Sequence, residues 1–561
     1  MSAQRKYIAW LIMLFMVISS GWFYNNSLAN NEESYHKIGR GLFYLKEVYE
    51  TVSRNYVDEL DPEALSKSAI EGMLEDFDPY TVFFEDPGSH QMRMITRGKY
   101  GGVGMEIGVQ DKIITVIAPM EGTPAKRAGI RAGDIITKID GTSMTDLSLQ
   151  DASQKLRGKV GTKVTIEIKR PGLSTPISMD LTREEIIIKD VSYASFIEPG
   201  TAYIRLSAFS DKASKELKDA IYNLKSQGEI ESVILDLRGN PGGLLTAAVE
   251  VANVFLPPGT MVVSTRGSHE NENKFFTKES PILPNEPLVV LVNRASASAS
   301  EIVAGAIQDL DRGVLVGTET FGKGLVQKVY PIDKVSQAYL KITTAKYYVP
   351  SGRSIQKEDY KKKNEMFLDL SDSLEYNKEV AFYTNNNRVV HGGGGIKPDI
   401  EIKNSDGDRY MDALISKSII FQFAVEYLSK HPELETSGGI EVSDAVMAEL
   451  NTYISEQDFD FELEGEEQLA KFLAIAKEQS YSADIQDLVN VAIQKLGVEK
   501  KKKFITNNTV IKSLLEEEFA EKFGGSTARI EISIRNDEQI AKALTVLSNM
   551  GEYQEILAIN E

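Results

Sequence analysis

The sequence predicts a multidomain α/β protein. A compact, mostly β module is inserted ahead of an α/β core, and a mainly helical region follows. Three observations carry this. Over residues 185–400 apolar strands alternate with helical patterns, which argues for a parallel or mixed sheet with crossover helices. Over 96–184 the chain turns glycine-rich and then shows short alternating strands, Ile113–Ile117 and Val164–Lys169, around a helical pattern at Leu149–Leu156. Over 405–561 it becomes charged and amphipathic, as in Met411–Phe421 and Glu466–Leu473.

Taken in order, residues 1–29 read as a targeting segment. Arg5 and Lys6 precede the apolar run Tyr7–Ile18, and the small residues Ser27 and Ala29 follow at the spacing a signal peptidase reads. A basic start, a short apolar centre and a small-x-small exit describe a secretory signal, so export to the periplasm or cell envelope is expected. The run is about a dozen residues long, against the ~20 that span a bilayer. Extension through Gly21–Phe23 keeps an uncleaved inner-membrane anchor as the alternative. Residues 33–95 are helical: Leu45–Val52 has i, i+3, i+4 apolar spacing, and Asp61 caps a second helix that opens on Pro62. Asp78-Pro79-Tyr80 ends it.

In the core, strands are predicted at Ala202–Leu206, Ser232–Leu237, Leu288–Val292 and Val314–Gly317, with helices at 211–226, 244–255 and 300–309. His391–Asp399 is a glycine-rich loop. In the C-terminal region the alternation of Ala528–Ile534 reads as a strand and the run Lys500–Lys503 as a solvated helix turn. This region presents no candidate chemistry.

The chain has 561 residues and is 42 % apolar, enough for several packed cores. Its net charge is −19 (63 Lys+Arg against 82 Asp+Glu), which argues against a nucleic-acid or anionic-membrane binder. Without cysteine there is no thiol nucleophile, disulfide or cysteine-ligated metal. The five histidines (His36, His90, His269, His391, His431) are scattered and no Gly-x-Ser-x-Gly occurs, so neither a Ser-His-Asp triad nor a zinc site is expected.

The chemistry gathers at two turns. Asn293–Glu301, Asn-Arg-Ala-Ser-Ala-Ser-Ala-Ser-Glu, leaves an apolar strand and enters a helix, where a serine hydroxyl is exposed beside the helix's positive end. Ser296, Ser298 and Ser300 compete; the small Ala297 and Ala299 leave room for a carbonyl and favour Ser298. The plain alternative is a helix-capping turn. Thr320–Gln327, Thr-Phe-Gly-Lys-Gly-Leu-Val-Gln, follows another apolar strand. Lys323 lies between two glycines and in a dry pocket would lose its proton and serve as base, with Gln327 orienting the amine. Lysine at a glycine turn is otherwise an exposed cation. Asp236–Gly243 ends a strand in Asn-Pro-Gly-Gly, whose bare amides at Gly242 or Gly243 would form half of an oxyanion hole, with Ala299 the other half. Gly101–Met105 precedes a strand rather than linking strand to helix. It suits capture of a peptide carboxylate with the peptide added as a strand, not dinucleotide binding. Ser354-x-x-Lys357 matches a penicillin-binding motif but lacks its companions.

Together these residues resemble the C-terminal processing peptidases, or tail-specific proteases, over about residues 40–400. The resemblance rests on Tyr56–Asp61, Gly72–Leu74, Asp78–Tyr80, the module from Gly101, Asp236–Gly243, Ser296–Glu301, Thr320–Gln327 and Gly395–Asp399. In that family the middle serine is the nucleophile and the lysine lies twenty-five positions on, as Lys323 does from Ser298. The resemblance implies a crotonase-related core, the glutamine at Gln327, and a PDZ domain whose carboxylate loop is Gly102, Val103, Gly104 and Met105, with Ile107 on the following strand. It implies protein substrates with apolar C-terminal tails and no metal or organic cofactor. An activating or adaptor protein and an oligomer stay open, and membrane contact is expected only through the N-terminal segment. The competing readings are a non-catalytic envelope adaptor that tethers partners through the PDZ domain, and a β-lactamase-like hydrolase built on Ser354.

Overall fold

The computed structural model describes residues 35–558 apart from 86–93, 95, 111, 146, 269, 334–337, 358–379, 403–407, 437–438 and 458. The targeting segment expected at 1–29, with His90 and His269, lies outside the described residues. Among those described, no helix is long and apolar enough to cross a membrane. The chain divides into two compact units, residues 1–83 and 84–561.

The first unit is a helical hairpin, 35–55 and Pro62–Leu74. Asp61 accepts the Glu63 N–H at 2.9 Å and Pro62 opens the second helix, so the predicted cap forms. Asp78 then accepts the Tyr80 and Thr81 N–H groups and turns the chain out of the helix.

The second unit begins with the β module. Strands Met105–Gln110, Ile113–Pro119, Ile135–Ile139, Lys163–Lys169 and Ile177–Thr182 form an antiparallel sheet, with Thr142–Ser143 at its side. Lys163–Lys169 alternates as predicted: Val164, Ile166 and Ile168 are buried, and Lys163, Thr165 and Lys169 face water. The helix Leu149–Leu156 is held by a capping box, Asp151 N–H to Ser148 Oγ at 3.2 Å and Ser148 N–H to Asp151 at 3.0 Å. A two-stranded ribbon, Lys99–Gly102 against Glu184–Ile187, leads to and from the core.

The core sheet starts with an antiparallel pair, Val191–Glu198 and Thr201–Leu206, and continues in parallel through Ser232–Asp236, Leu288–Val292, Val314–Gly317 and Ile400–Glu401. Ser232–Asp236 and Leu288–Val292 are buried at every position, the mark of strands covered on both faces. Helices Ala213–Gln227, Leu245–Ala252 and Ala299–Asp309 cover one face. The other is covered by helices Glu538–Ser548 and Met550–Ile556, whose Ile540, Ala543, Val546 and Tyr553 pack with Ile234, Val289, Leu291 and Val316. The last helices of the sequence are therefore a layer of the α/β core, although they fall within the stretch 405–561 that reads as a separate helical region. A second sheet joins two hairpins, Met261–Gly267 with Glu270–Phe276 and Leu325–Asp333 with Ala338–Tyr348, through Ser264–Arg266 and Lys346–Tyr348.

The remaining C-terminal helices build their own core around Leu414, Phe423, Leu450, Ile511, Leu515 and Phe519. The strand expected at Ala528–Ile534 is helical, within Asn508–Arg535. Ile530 and Ile534 are four apart, a spacing that alternation and helical periodicity share, and Gly525 (φ +69°) bends the helix just before them. Of the basic run, Lys500 pairs with Asp460 at 3.1 Å and Glu466 at 2.9 Å, and Lys503 with Asp408 at 3.0 Å.

Candidate active site

The serine turn sits at the C-terminal edge of the parallel sheet, where ligands of such sheets bind. Leu288–Val292 delivers the chain to Asn293, and the helix Ala299–Asp309 leaves from Ser298. The three serines are no longer equivalent. Ser296 is fully buried, its hydroxyl donating to Leu237 C=O at 2.8 Å; Ser300 is fully buried, its hydroxyl donating to Asn240 C=O at 2.9 Å. Ser298 is partly exposed at the head of the helix, with φ +58° and ψ −112°. A non-glycine residue there carries strain of about 1–3 kcal/mol that the surrounding structure must hold in place.

Glu301 supplies much of that hold. It is fully buried, yet its two oxygens accept four hydrogen bonds: Ser298 N–H at 2.8 Å, Lys323 N–H at 2.9 Å, Gly322 N–H at 2.8 Å and Thr320 Oγ1 at 2.6 Å. One carboxyl thus ties the serine turn to the lysine turn. Burial pushes its pKa up from the ordinary value, against the pull of Thr320, Lys323, Gly322 and Ser298. In the sequence Glu301 belongs to the serine motif with no role evident. Its position three residues after Ser298, the N3 place of a capping box, was the available signal.

The glycine turn closes from a third side. Asn240 is fully buried; its side chain donates to Leu206 C=O at 2.7 Å and accepts Gly242 N–H at 2.9 Å, and its carbonyl accepts Ala297 N–H at 3.0 Å. Gly242 (φ +97°) lies so close that a β-carbon there would stand 2.6 Å from Ala297 O and 2.8 Å from Ala299 N. Its N–H is already taken by Asn240, whereas Gly243 N–H and Ala299 N–H have no acceptor among the described residues. One unpaired amide, Ala299 N–H, is thus adjacent to Ser298 in the chain, and the other, Gly243 N–H, follows Gly242, whose backbone closely approaches Ser298.

Lys323 is half-buried, and its carbonyl accepts the Tyr347 hydroxyl. Its turn is fastened by Thr320, which accepts Ile396 N–H at 2.7 Å, and by Gln356, which accepts Gly324 N–H at 2.8 Å. Gln327 stands on the strand Leu325–Asp333 beside a register shift, its amide donating to Thr343 Oγ1 at 3.3 Å. Ser354, of the penicillin-binding match, is buried under Gln356 N–H, and Lys357 is exposed. That segment braces the lysine turn instead.

In the β module Gly102, Val103, Gly104 and Met105 are buried and Ile107 half-buried. Gly104 (φ +75°) packs against Thr123, whose hydroxyl donates to Gly104 C=O at 2.8 Å, and Ala125 N–H donates to Val103 C=O at 2.9 Å. Val103 N–H and Gly104 N–H have no acceptor among the described residues. Arg157, unremarked in the sequence, lies over the Tyr100 ring at 5.2 Å, and that ring borders Gly102.

The chain matches peptidase family S41 over residues 200–366 and a PDZ domain over 115–170. Residues 10–87 match the activating protease CtpB N-terminal domain and 410–547 a probable PDZ-protease C-terminal helical domain. It is 38 % identical over 356 residues to a carboxy-terminal-processing protease of Bartonella bacilliformis, covering 63 % of this chain and 80 % of that one. Identity is 40 % over 298 residues to a carboxyl-terminal-processing protease of Synechocystis (52 % and 68 % covered). It is 32 % over 356 residues to carboxy-terminal processing protease CtpA of Bacillus subtilis (63 % and 73 %). With the serine, lysine and glycine turns converging on one edge of the sheet, this chain belongs to the carboxy-terminal-processing proteases of peptidase family S41, and is a serine endopeptidase carrying a PDZ domain.

Proposed function

We propose that this protein is an exported endopeptidase that takes proteins by apolar C-terminal tails and cleaves them with Ser298 as nucleophile and Lys323 as general base. The observation that carries the reading is the single buried carboxyl of Glu301 fixing both turns at once. Lys323, neutral, takes the Ser298 hydroxyl proton as Oγ attacks the substrate carbonyl. Gly243 and Ala299 donate to the oxyanion, each worth about 3–4 kcal/mol in the transition state; Gly242 serves by its close approach. Protonated Lys323 gives the proton to the departing amine; the lysine, neutral again, then takes a proton from the water that attacks the acyl group and passes it to Ser298 Oγ as the acid leaves. Gln327 orients the amine in this scheme, and the core is of the crotonase-related type.

The tail enters the PDZ module as an added strand beside Met105–Gln110. Its carboxylate meets Val103 and Gly104 N–H within the Gly102–Met105 loop, with Arg157 as the neighbouring cation and Ile107 facing the tail's side chains. Residues 1–29 direct export and either leave or stay as an anchor. The test is cleavage of an unfolded protein with and without its apolar last residues, by wild type, Ser298→Ala and Lys323→Ala. Loss of cleavage in both variants and slower cleavage of the trimmed substrate support the reading. Wild-type rates in both variants refute it.

A further inference from the structure

The end of the sequence reaches the proteolytic site through a buried polar node. Asp236 closes the strand Ser232–Asp236 and is bound by Arg238 through two bonds, Nε to Oδ1 at 2.9 Å and Nη2 to Oδ2 at 2.7 Å. The third nitrogen of that guanidinium turns outward to the C-terminal layer, donating to Asp537 Oδ2 at 2.6 Å and to Gln539 Oε1 at 3.1 Å. Two residues past Arg238 stands Asn240, which carries the glycine turn. So the side chain of Arg238 links the oxyanion segment, 238–243, to residues three hundred positions away.

Gln539 extends the link to the lysine side. It is 1 % exposed, and its amide donates to Ile402 C=O at 3.2 Å. Ile402 N–H in turn donates to Gly317 C=O at 2.8 Å, at the end of the strand Val314–Gly317 from which the lysine turn departs. Asp537 completes the node by capping the helix Glu538–Ser548, accepting Gln539 N–H at 2.9 Å and Ile540 N–H at 3.1 Å. One short helix start thus grips the chain on both sides of the nucleophile.

We propose that Asp537 and Gln539 are positioning residues for proteolysis, holding the oxyanion turn through Arg238 and the lysine turn through Ile402 and Gly317. The alternative is that the node serves only to dock the last two helices. Apolar packing of Ile540, Val546 and Tyr553 on the sheet does that independently of it. Loosening a turn that carries an oxyanion donor reduces transition-state stabilisation while leaving tail capture by the PDZ groove, which the node does not touch in its bonds to Arg238 and Ile402, unchanged, so the loss falls on kcat.

The proposal rests on the Ser298 reading above, and its experiment separates the two. Wild type, Ser298→Ala, Asp537→Ala, Asp537→Asn and Gln539→Met are compared on one tailed substrate, with active sites counted by a fluorophosphonate and folding followed by near-ultraviolet dichroism. Per active site, Asp537→Ala and Gln539→Met are expected to lower kcat about ten-fold with KM within about two-fold. Asp537→Asn, whose single amide oxygen can still cap the helix but whose NH2 then faces the Arg238 guanidinium, is expected to keep the folded helix and still lose kcat as Asp537→Ala does. Should Asp537→Ala not fold, Gln539→Met, which leaves the cap intact, decides alone. A folded Gln539→Met with wild-type kcat per active site, beside an inert Ser298→Ala, overturns this proposal only. A Ser298→Ala that cleaves like wild type overturns the reading beneath it.

Discussion

Glu301 fills two oxygens with four donors, and that decides what may replace it. A carboxylate offers about four lone-pair sites, all engaged here, whereas an amide must turn an NH2 group toward two of the donors. Each buried donor left without an acceptor costs about 1–3 kcal/mol. Glu301→Gln is therefore expected to lower kcat/KM about a hundred-fold, with a lower melting temperature; a change under about three-fold would show that the carboxyl does not hold the two turns. At this scale residue types and spacing in the sequence suggested roles for Ser298, Lys323, Gln327 and the glycine turn, and none for Glu301. Three serines in alternation look alike, and only burial of the Ser296 and Ser300 hydroxyls leaves Ser298 accessible. The turn Asn-Pro-Gly-Gly promised bare amides, but Asn240 consumes the one at Gly242, a local side-chain bond that composition does not announce.

Among elements, the glycine turn leaves little room for added volume at Gly242. A methyl at Gly242 would press on the backbone of Ala297 and Ala299, while the same addition at Gly239 (φ +71°) meets open space. Gly239→Ala is expected to cost about 1–2 kcal/mol of stability for its left-handed backbone and to keep most activity. Gly242→Ala should lose activity about a hundred-fold or more, since it displaces Ala299, proposed above as an oxyanion donor; equal activities in the two variants would remove the glycine turn from the site. The strand Ser232–Asp236, which feeds this turn, gives a pH test. Burial would raise the Asp236 carboxyl, but Arg238 and the Tyr203 hydroxyl outweigh it and hold it below its ordinary value. The folded pKa lies below the unfolded one, about 3.9, so the stabilisation is complete above about pH 4 and fades as the pH falls through the folded value. Melting temperatures between neutral and pH 3 should show a steeper acid fall for wild type than for Asp236→Asn; parallel curves would contradict the pairing. Strong apolar runs such as Leu288–Val292 announced themselves as strands. The hairpins of the second sheet did not, because their exposed positions carry charged and polar residues that blur the alternation.

For the whole molecule, the C-terminal layer is the main departure from what the sequence conveyed. A parallel sheet needs cover on both faces, and the helices between its strands supply only one. The missing cover, Glu538–Ser548 and Met550–Ile556, comes after more than a hundred residues of an independent helical core, a long-range pairing that local periodicity cannot reveal. Truncation after Asn536 would bare Ile234, Val289, Leu291 and Val316, several side chains worth about 1.5–3 kcal/mol each. The truncated chain is expected to be insoluble or to melt far below wild type, as read by soluble yield and calorimetry. Wild-type stability after truncation would show the layer to be dispensable.

The central claim is that one serine, activated by one lysine, performs the hydrolysis, and peptide mapping after reaction with a fluorophosphonate probes it most directly. The account predicts a single phosphonyl adduct on the peptide that contains Ser298, formed quickly by wild type and slowly by Lys323→Ala. An adduct on Ser354 or any other serine, or an equally fast one in Lys323→Ala, would contradict it.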